Sequence, residues 1–254
     1  MSFNLDHNPS AAVLIIGNEI LSGRTEDQNL NFIASKLSSL NIRVQYAAFI
    51  PDKIEVIIEE VQRASKRFNY VFTTGGIGPT HDDITTDAVA QALGLEVIED
   101  PKAALWLERH YGGKDNLTEA RLRMARVPKG AGLILNPVSA APGYKIENVF
   151  VLAGVPLIMR SMFDDVQRFL IPGQTIYSLT LRCSTGESKI AQLLSQLQTE
   201  FPEVEIGSYP HFRLSGYGLS LVLKSLDQDK IHLLAKKIQT MISSFGDTAE
   251  VLLD

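Results

Sequence analysis

A single cysteine, Cys183, occurs among the 254 residues. That excludes an internal disulfide and any cysteine-ligated zinc site, and it fits a reducing, cytoplasmic setting. Positive charge is also scarce. Lys and Arg number 24 against 29 Asp and Glu, for a net charge of −5, and no Lys/Arg run or basic stripe stands out. A nucleic-acid partner needs such a stripe to meet phosphates and is not expected. No apolar run approaches the roughly 20 residues of a membrane span, so no membrane partner is expected either. Residues 1–10 are polar and carry Asp6 and Pro9, which does not read as a signal peptide. Absent too are the His-Glu-x-x-His of zinc proteases and the Gly-x-Ser-x-Gly of hydrolases, and neither Walker A nor GxGxxG spacing fits the glycine-rich segment. What remains is an ordinary globular composition, 45% hydrophobic and 21% charged, able to bury a sizeable core in one large domain or two smaller ones.

The chain alternates strand and helix patterns. Residues 11–17 form a near-continuous apolar run ending in glycine, the pattern of a strand buried on both faces. Residues 28–40 space Leu30, Ile33, Ala34, Leu37 and Leu40 as a helical stripe. Residues 42–50 read as a strand, and Asp52 is expected to cap a helix carrying Ile54, Ile57, Ile58, Val61 and Ala64. A strand at 70–73 and a helix at 84–93 complete a βαβ series, which implies a parallel sheet with right-handed crossovers. Further on, strands are expected at 95–98, 131–135 and 149–152, with helices at 101–111 and 117–125. The turn-rich segment 136–143 reads as a loop. Gly154-Val155-Pro156 opens another helix, proline costing no hydrogen bond at the first helical position.

Ile171-Pro172-Gly173-Gln174 is the linker candidate, dividing a domain at 1–171 from one at 172–254. The second domain reads as a strand at 175–182, then a capping box Ser184-Thr185-Gly186-Glu187 before a helix. Strands at 204–208 and 219–224, a helix at 229–243 and a strand at 251–253 follow. The order β-α-β-β-α-β predicts a small α+β domain of the split βαβ type.

The chemistry concentrates in Thr73-Thr74-Gly75-Gly76-Ile77-Gly78-Pro79-Thr80-His81-Asp82-Asp83, where a strand runs into a glycine-rich turn and a helix N-terminus. Backbone N–H groups in such a turn cradle an anion. Gly75, Gly76 and Gly78 allow close approach, Pro79 stiffens the exit, and Thr80, Thr85 and Thr86 offer hydroxyls for phosphate oxygens or for capping. The plain alternative is a tight turn with Asp82 or Asp83 as helix cap, which does not account for three glycines and two aspartates together. Gly17-Asn18-Glu19, with Asp27 and Asn29 following, stands at the carboxyl end of the first strand, where ligands of open α/β sheets collect. Glu19 would join Asp82 and Asp83 in one crevice if the first and third strands are neighbours. Three carboxylates beside a phosphate cradle suit a hard divalent cation. Taken alone, Glu19 and Asn29 read equally well as loop residues that orient turns. The loops 136–143 and 154–156 could close over a ligand, although such loops are usually connectors. His81 adjoins the aspartates. His7, His110, His211 and His232 are scattered, and Trp106 reads as helix packing.

Gly17-Asn18-Glu19-Ile20-Leu21-Ser22-Gly23, the turn from Thr74 to Asp83, Asn136-Pro137 with Ala141-Pro142-Gly143, and Gly154-Val155-Pro156 together resemble the competence/damage-inducible protein A (CinA) family. Its N-terminal part is similar to the MoaB/MogA molybdopterin-binding fold and to the N-terminal domain of eukaryotic FAD synthase. Asn18 stands where the family often has threonine, and Ala153 where proline commonly precedes Gly-Val-Pro. The resemblance implies a three-layer α/β/α domain with a mostly parallel sheet, followed by the small α+β domain. It also implies metal-dependent hydrolysis of a nucleotide pyrophosphate, with an ADP-ribose-like or FAD-like substrate. In that reading Glu19, Asp82 and Asp83 bind Mg²⁺, Mn²⁺ or Co²⁺ and serve catalysis, with a monovalent cation as an additional candidate. Thr74, Gly75, Gly76, Gly78, Pro79, Thr80, Asn29 and Gly154 would hold phosphate or substrate. The small-molecule nucleotide is then the partner, and a homo-oligomer, dimer or trimer, is implied. Two alternatives stay open: a molybdopterin-binding or adenylyl-transfer protein of molybdenum cofactor assembly, and a non-catalytic nucleotide-binding or regulatory module. The deamidase domain that follows in full-length family members has no counterpart in these residues, so that activity is not expected.

Overall fold

A computed structural model describes residues 8–213 and 216–252. His7 and the end of the expected last strand, Leu253, fall outside them. The chain divides into two compact units, one spanning Pro9–Pro172 and the other the described residues from Gly173 onward together with Asn8.

The larger unit begins with β1 (Ser10–Ile16), a short helix α1 (Asn18–Leu21), α2 (Asn29–Ser39), β2 (Arg43–Ile50), α3 (Ile54–Arg67), β3 (Tyr70–Thr74) and α4 (Thr85–Leu93). It continues with β4 (Val97–Glu99), α5 (Pro101–Tyr111), α6 (Glu119–Arg123), β5 (Arg126–Pro128), β6 (Gly132–Ile134), β7 (Gly143–Ile146), β8 (Val149–Leu152) and α7 (Pro156–Val166). The main sheet has the order β2-β1-β3-β8-β7-β6. The first four strands run parallel, and β7 and β6 complete it antiparallel. β1 and β3 are neighbours, so the ends of these two strands share one edge.

β1 shows how the sequence builds three layers. Its side chains alternate faces, as strand geometry requires. Ala12, Leu14 and Ile16 enter a core with Ile57, Val61, Ala88 and Val89 of α3 and α4. Ala11, Val13 and Ile15 enter a second core with Ile33 and Leu37 of α2 and with Met159, Met162 and Phe163 of α7. An apolar run without polar interruption is what a strand covered on both faces needs. Phe72 and Phe150, on the adjacent strands β3 and β8, are fully buried and stack at 4.9 Å between ring centroids.

The smaller unit holds β9 (Tyr177–Cys183), α8 (Glu187–Glu200), β10 (Glu205–Arg213), β11 (Gly216–Ser225), α9 (Gln228–Ser243) and β12 (Glu250–Leu252). Its four strands are antiparallel in the order β10-β11-β9-β12, the split βαβ arrangement. Among the described residues no helix is long and apolar enough to cross a membrane.

Several local expectations are corrected. Asp52 does not cap α3, because its Oδ2 accepts from the Asn18 backbone N–H at 2.8 Å. The capping box before α8 does not form. The Thr185 hydroxyl and the Ser184 N–H both donate to Asp247, 2.7 and 2.8 Å away, and leave the helix without a side-chain cap. α1, β5 and β7 were not anticipated, and β7 takes up the end of the segment read as a loop.

Replacing Phe150 with alanine removes an aromatic ring from the middle of the larger unit. We expect a loss of about 3–5 kcal/mol in unfolding free energy. Urea denaturation followed by the emission of Trp106, the chain's one tryptophan, measures it.

Candidate functional site

The site forms where the parallel strands end. Gly17 follows β1 and donates its N–H to Ile50 O of β2 at 3.2 Å. Gly75 follows β3 and donates to Leu152 O of β8 at 3.1 Å. The strand ends are thereby tied edge to edge, which fixes the floor of a crevice. Gly75 and Gly76 then turn the chain with φ of +103° and +68°, a region costly for side-chain-bearing residues. A Cβ on Gly75 would fall 2.2 Å from Ile16 O, and one on Gly76 would fall 2.1 Å from the Thr85 hydroxyl. Both glycines are thus required twice, by backbone angle and by space. Gly76 O accepts from Thr85 N at 3.0 Å, closing the turn onto the start of α4. Gly154 lies against this turn, since a Cβ on it would approach Gly75 Cα to 3.2 Å.

Asn29, at the start of α2 and only 4% exposed, joins these pieces. Asp27 accepts from the backbone N–H groups of Asn29 and Leu30 at 3.1 and 3.0 Å and so anchors the helix start. The Asn29 Nδ2 group donates to Gly154 O at 2.7 Å and reaches Thr74 Oγ1 at 3.5 Å. Its Oδ1 is buried without a partner, as is Thr85 Oγ1. A buried orphan acceptor is costly unless a ligand meets it. Because Nδ2 must donate to the Gly154 carbonyl, the free atom is an acceptor. It suits a sugar hydroxyl or a cation and not a phosphate oxygen, which narrows the role expected of Asn29.

The carboxylates are arranged less tightly. Asp83 Oδ2 accepts from the Thr80 backbone N–H at 2.8 Å and from its hydroxyl at 2.6 Å. Neither Asp82 nor Asp83 caps α4, whose first turn begins at Ile84 without a side-chain cap. Thr80 has one hydroxyl proton for two neighbouring carboxylates. The 2.6 Å bond gives it to Asp83. Asp82 is solvent-facing, as is His81, whose Nδ1 lies 4.0 Å from Asp82 Oδ1. Glu19 curls back over Gly17, where a Cβ would meet its Oε1 at 2.5 Å. Pro79 and Thr80 sit at the exposed rim.

No group of three or more His, Cys, Asp or Glu able to hold a metal ion occurs among the described residues. Glu19, Asp82 and Asp83 therefore do not converge into a resident cage, because the 80–83 turn spends one Asp83 oxygen internally and directs Asp82 to solvent.

Sequence reasoning did not find the small polar cleft beside the turn. It measures about 10 Å³, room for one water, and is lined by Gly78, Asp83, Thr86, Arg123, Arg126 and Tyr144 among others. Arg126 is held by Asp87 at 2.6 Å. The Tyr144 hydroxyl is buried with no hydrogen-bond partner, and burial pushes its pKa far up.

Left-handed glycines at the carboxyl edge of a mostly parallel sheet define the class, an α/β domain of the kind whose ligands gather at strand ends. The chain belongs to the family of the probable molybdopterin binding domain, whose family model matches residues 12–172, more than half its length. A second family model, the middle domain of FAD synthase, matches residues 175–246. A relative in Archaeoglobus fulgidus is 32% identical over 91% of this chain and 97% of its own. The probable FAD synthase of Caenorhabditis elegans is 30% identical over 92% of this chain, which spans 50% of that protein's length. The solved structure of the protein CinA from Thermoplasma acidophilum, described as of unknown function, superposes with a TM-score of 0.61 at 32% identity. It covers 64% of this chain and 98% of that one. The resemblance noted in the motifs thus extends over 64% of the chain for CinA and 92% for the probable FAD synthase.

Gly76→Ala meets both a forbidding φ and the Thr85 hydroxyl, whereas Gly94, at φ +69°, has nothing within 4 Å of a Cβ. We expect Gly94→Ala to cost about 1 kcal/mol and Gly76→Ala about 2–3 kcal/mol, with only the latter weakening nucleotide binding. Denaturation and calorimetric titration with ADP-ribose check both.

Proposed function

We propose that this protein hydrolyses the pyrophosphate bond of a nucleotide of the ADP-ribose or FAD type, with a divalent cation carried on the diphosphate. The observation that carries the reading is the Gly75-Gly76 cradle with the unpartnered Asn29 Oδ1 beside it. A diphosphate satisfies the backbone N–H groups of 76–78, and an adjoining ribose hydroxyl satisfies Asn29. Likeness to proteins named as FAD synthase supports a nucleotide as the ligand.

In this reading the cradle holds and orients the diphosphate, and the start of α4 places its positive end toward the bound charge. The cation, when bound, polarises the phosphoryl oxygens and lowers the pKa of an attacking water. Asp82 and Asp83 would supply one or two oxygens to it from the turn, with Glu19 of α1 as the further candidate ligand. Thr80 holds Asp83 Oδ2 through two hydrogen bonds, leaving its other oxygen to face outward. Asn29 locks Gly154 to the cradle and accepts from the sugar.

The match to a molybdopterin-binding domain favours a second reading, in which the cradle takes a pterin phosphate and no bond is broken. Calorimetry with molybdopterin and with ADP-ribose separates the two.

The test is AMP release from ADP-ribose and FAD with Mg²⁺, Mn²⁺ or Co²⁺. Turnover should need the metal, and Asp83→Ala should reduce kcat on the order of a hundredfold, as loss of a metal-positioning carboxylate does. Absence of metal-dependent AMP release from both substrates would falsify the hydrolytic reading.

A further inference from the structure

The larger unit carries a second concavity that the diphosphate site does not use. It has a volume of about 590 Å³, within the range of small-molecule sites, and is lined by Trp106 and Arg109 of α5, by Leu135, Asn136, Pro137 and Ala140, and by residues of α7. We propose that this groove binds the purine nucleoside end of the substrate, with the base against Trp106 and the ribose against Asp164. The inference rests on the nucleotide reading above and deepens it.

Three observations carry it. The first is the wall. Trp106 was read as helix packing, but it is only partly buried and lines an open apolar groove beside Pro137. A large indole face with a proline nearby is a platform for a heteroaromatic ring. The second is the set of polar groups at the rim. Asp165 is already engaged, accepting from Leu135 N at 2.9 Å and from Arg168 Nη2 at 3.0 Å. The Ser161 hydroxyl donates to Ile158 O. Asp164 and Arg109 are the charged groups left facing the groove, an acceptor for vicinal hydroxyls and a donor for a phosphate.

The third observation is continuity with the cradle. The loop 136–143 borders both places, Asn136, Pro137 and Ala140 at the groove and Pro142 at the cleft beside Ile77 and Gly78. That loop is preformed, since Asn136 donates to Ser139 Oγ and Ala141 O and accepts from the N–H groups of Val138 and Ser139. A rigid wall shared by an anion cradle and an aromatic groove is what a ligand with a diphosphate and a base requires.

Trp106 is the chain's one tryptophan, so stacking on it alters the entire indole emission of the protein. We expect AMP and ADP-ribose to quench or shift that emission in the full chain and ribose 5-phosphate to leave it unchanged. In the hydrolysis assay, Trp106→Ala should raise KM about tenfold with kcat within about twofold, the scale of one base stack. Asp164→Asn, at an exposed position where folding is not at risk, should weaken AMP binding about fivefold, the scale of lost hydrogen bonds to a charged acceptor. Turnover of dinucleotides with unchanged emission, and with KM unaltered in Asp164→Asn, overturns this inference and leaves the hydrolytic reading intact. Neither turnover nor any emission change overturns both. Emission that follows protein concentration and ignores nucleotide assigns the groove to a second copy of the chain and overturns the inference as well.

Discussion

The larger unit depends on one backbone event, the left-handed passage of the chain through Gly75 and Gly76 between β3 and α4. The passage lets Gly75 hydrogen-bond to Leu152 of β8 while the chain still turns sharply enough for Gly76 to close onto Thr85. A side chain at either position collides with Ile16 or Thr85, so the strand ends, the helix start and the cradle stand or fall together. The parallel sheet supplies rigidity beneath it, with β1 and β3 buried on both faces and the Phe72–Phe150 stack across the neighbouring pair. Sites built on element ends hold their geometry better than sites built on long loops, and here the polar groups sit within a few residues of strands and helices.

The proposed chemistry builds on that constraint. Backbone N–H groups receive an anion. Asn29, whose amide must donate to Gly154, leaves an acceptor that an anion cannot satisfy. A ligand that met both would present negative charge with a donor or a cation beside it, as the proposed nucleotide diphosphate does.

Much of this was legible in the sequence. The apolar runs gave the strands, because a strand covered on both faces carries few polar residues, and the stripes at 28–40 and 54–64 gave the helices. Proline opens α7 and Gly94 ends α4, both as local chemistry requires. The errors have a common cause. Asp52 and Ser184 carry sound local capping signals, yet each is engaged by a partner 34 or 63 residues away. Distant hydrogen bonds override local ones, and a single sequence does not reveal them. β5 and β7 are too short for a period to register, and they exist because β4 and β8 offer edges to pair with. At the site, glycines announce backbone freedom by their identity alone, so the cradle was visible. The orphaned Asn29 oxygen and the partial exposure of Trp106 depend on tertiary packing and were not.

The central claim is that the 76–78 backbone binds a diphosphate. A crystal structure of the protein with ADP-ribose and Mg²⁺ tests it most directly. The account predicts diphosphate oxygens within hydrogen-bond distance of those N–H groups and a ribose hydroxyl on Asn29 Oδ1. A nucleotide bound elsewhere, with the cradle filled only by solvent, contradicts it.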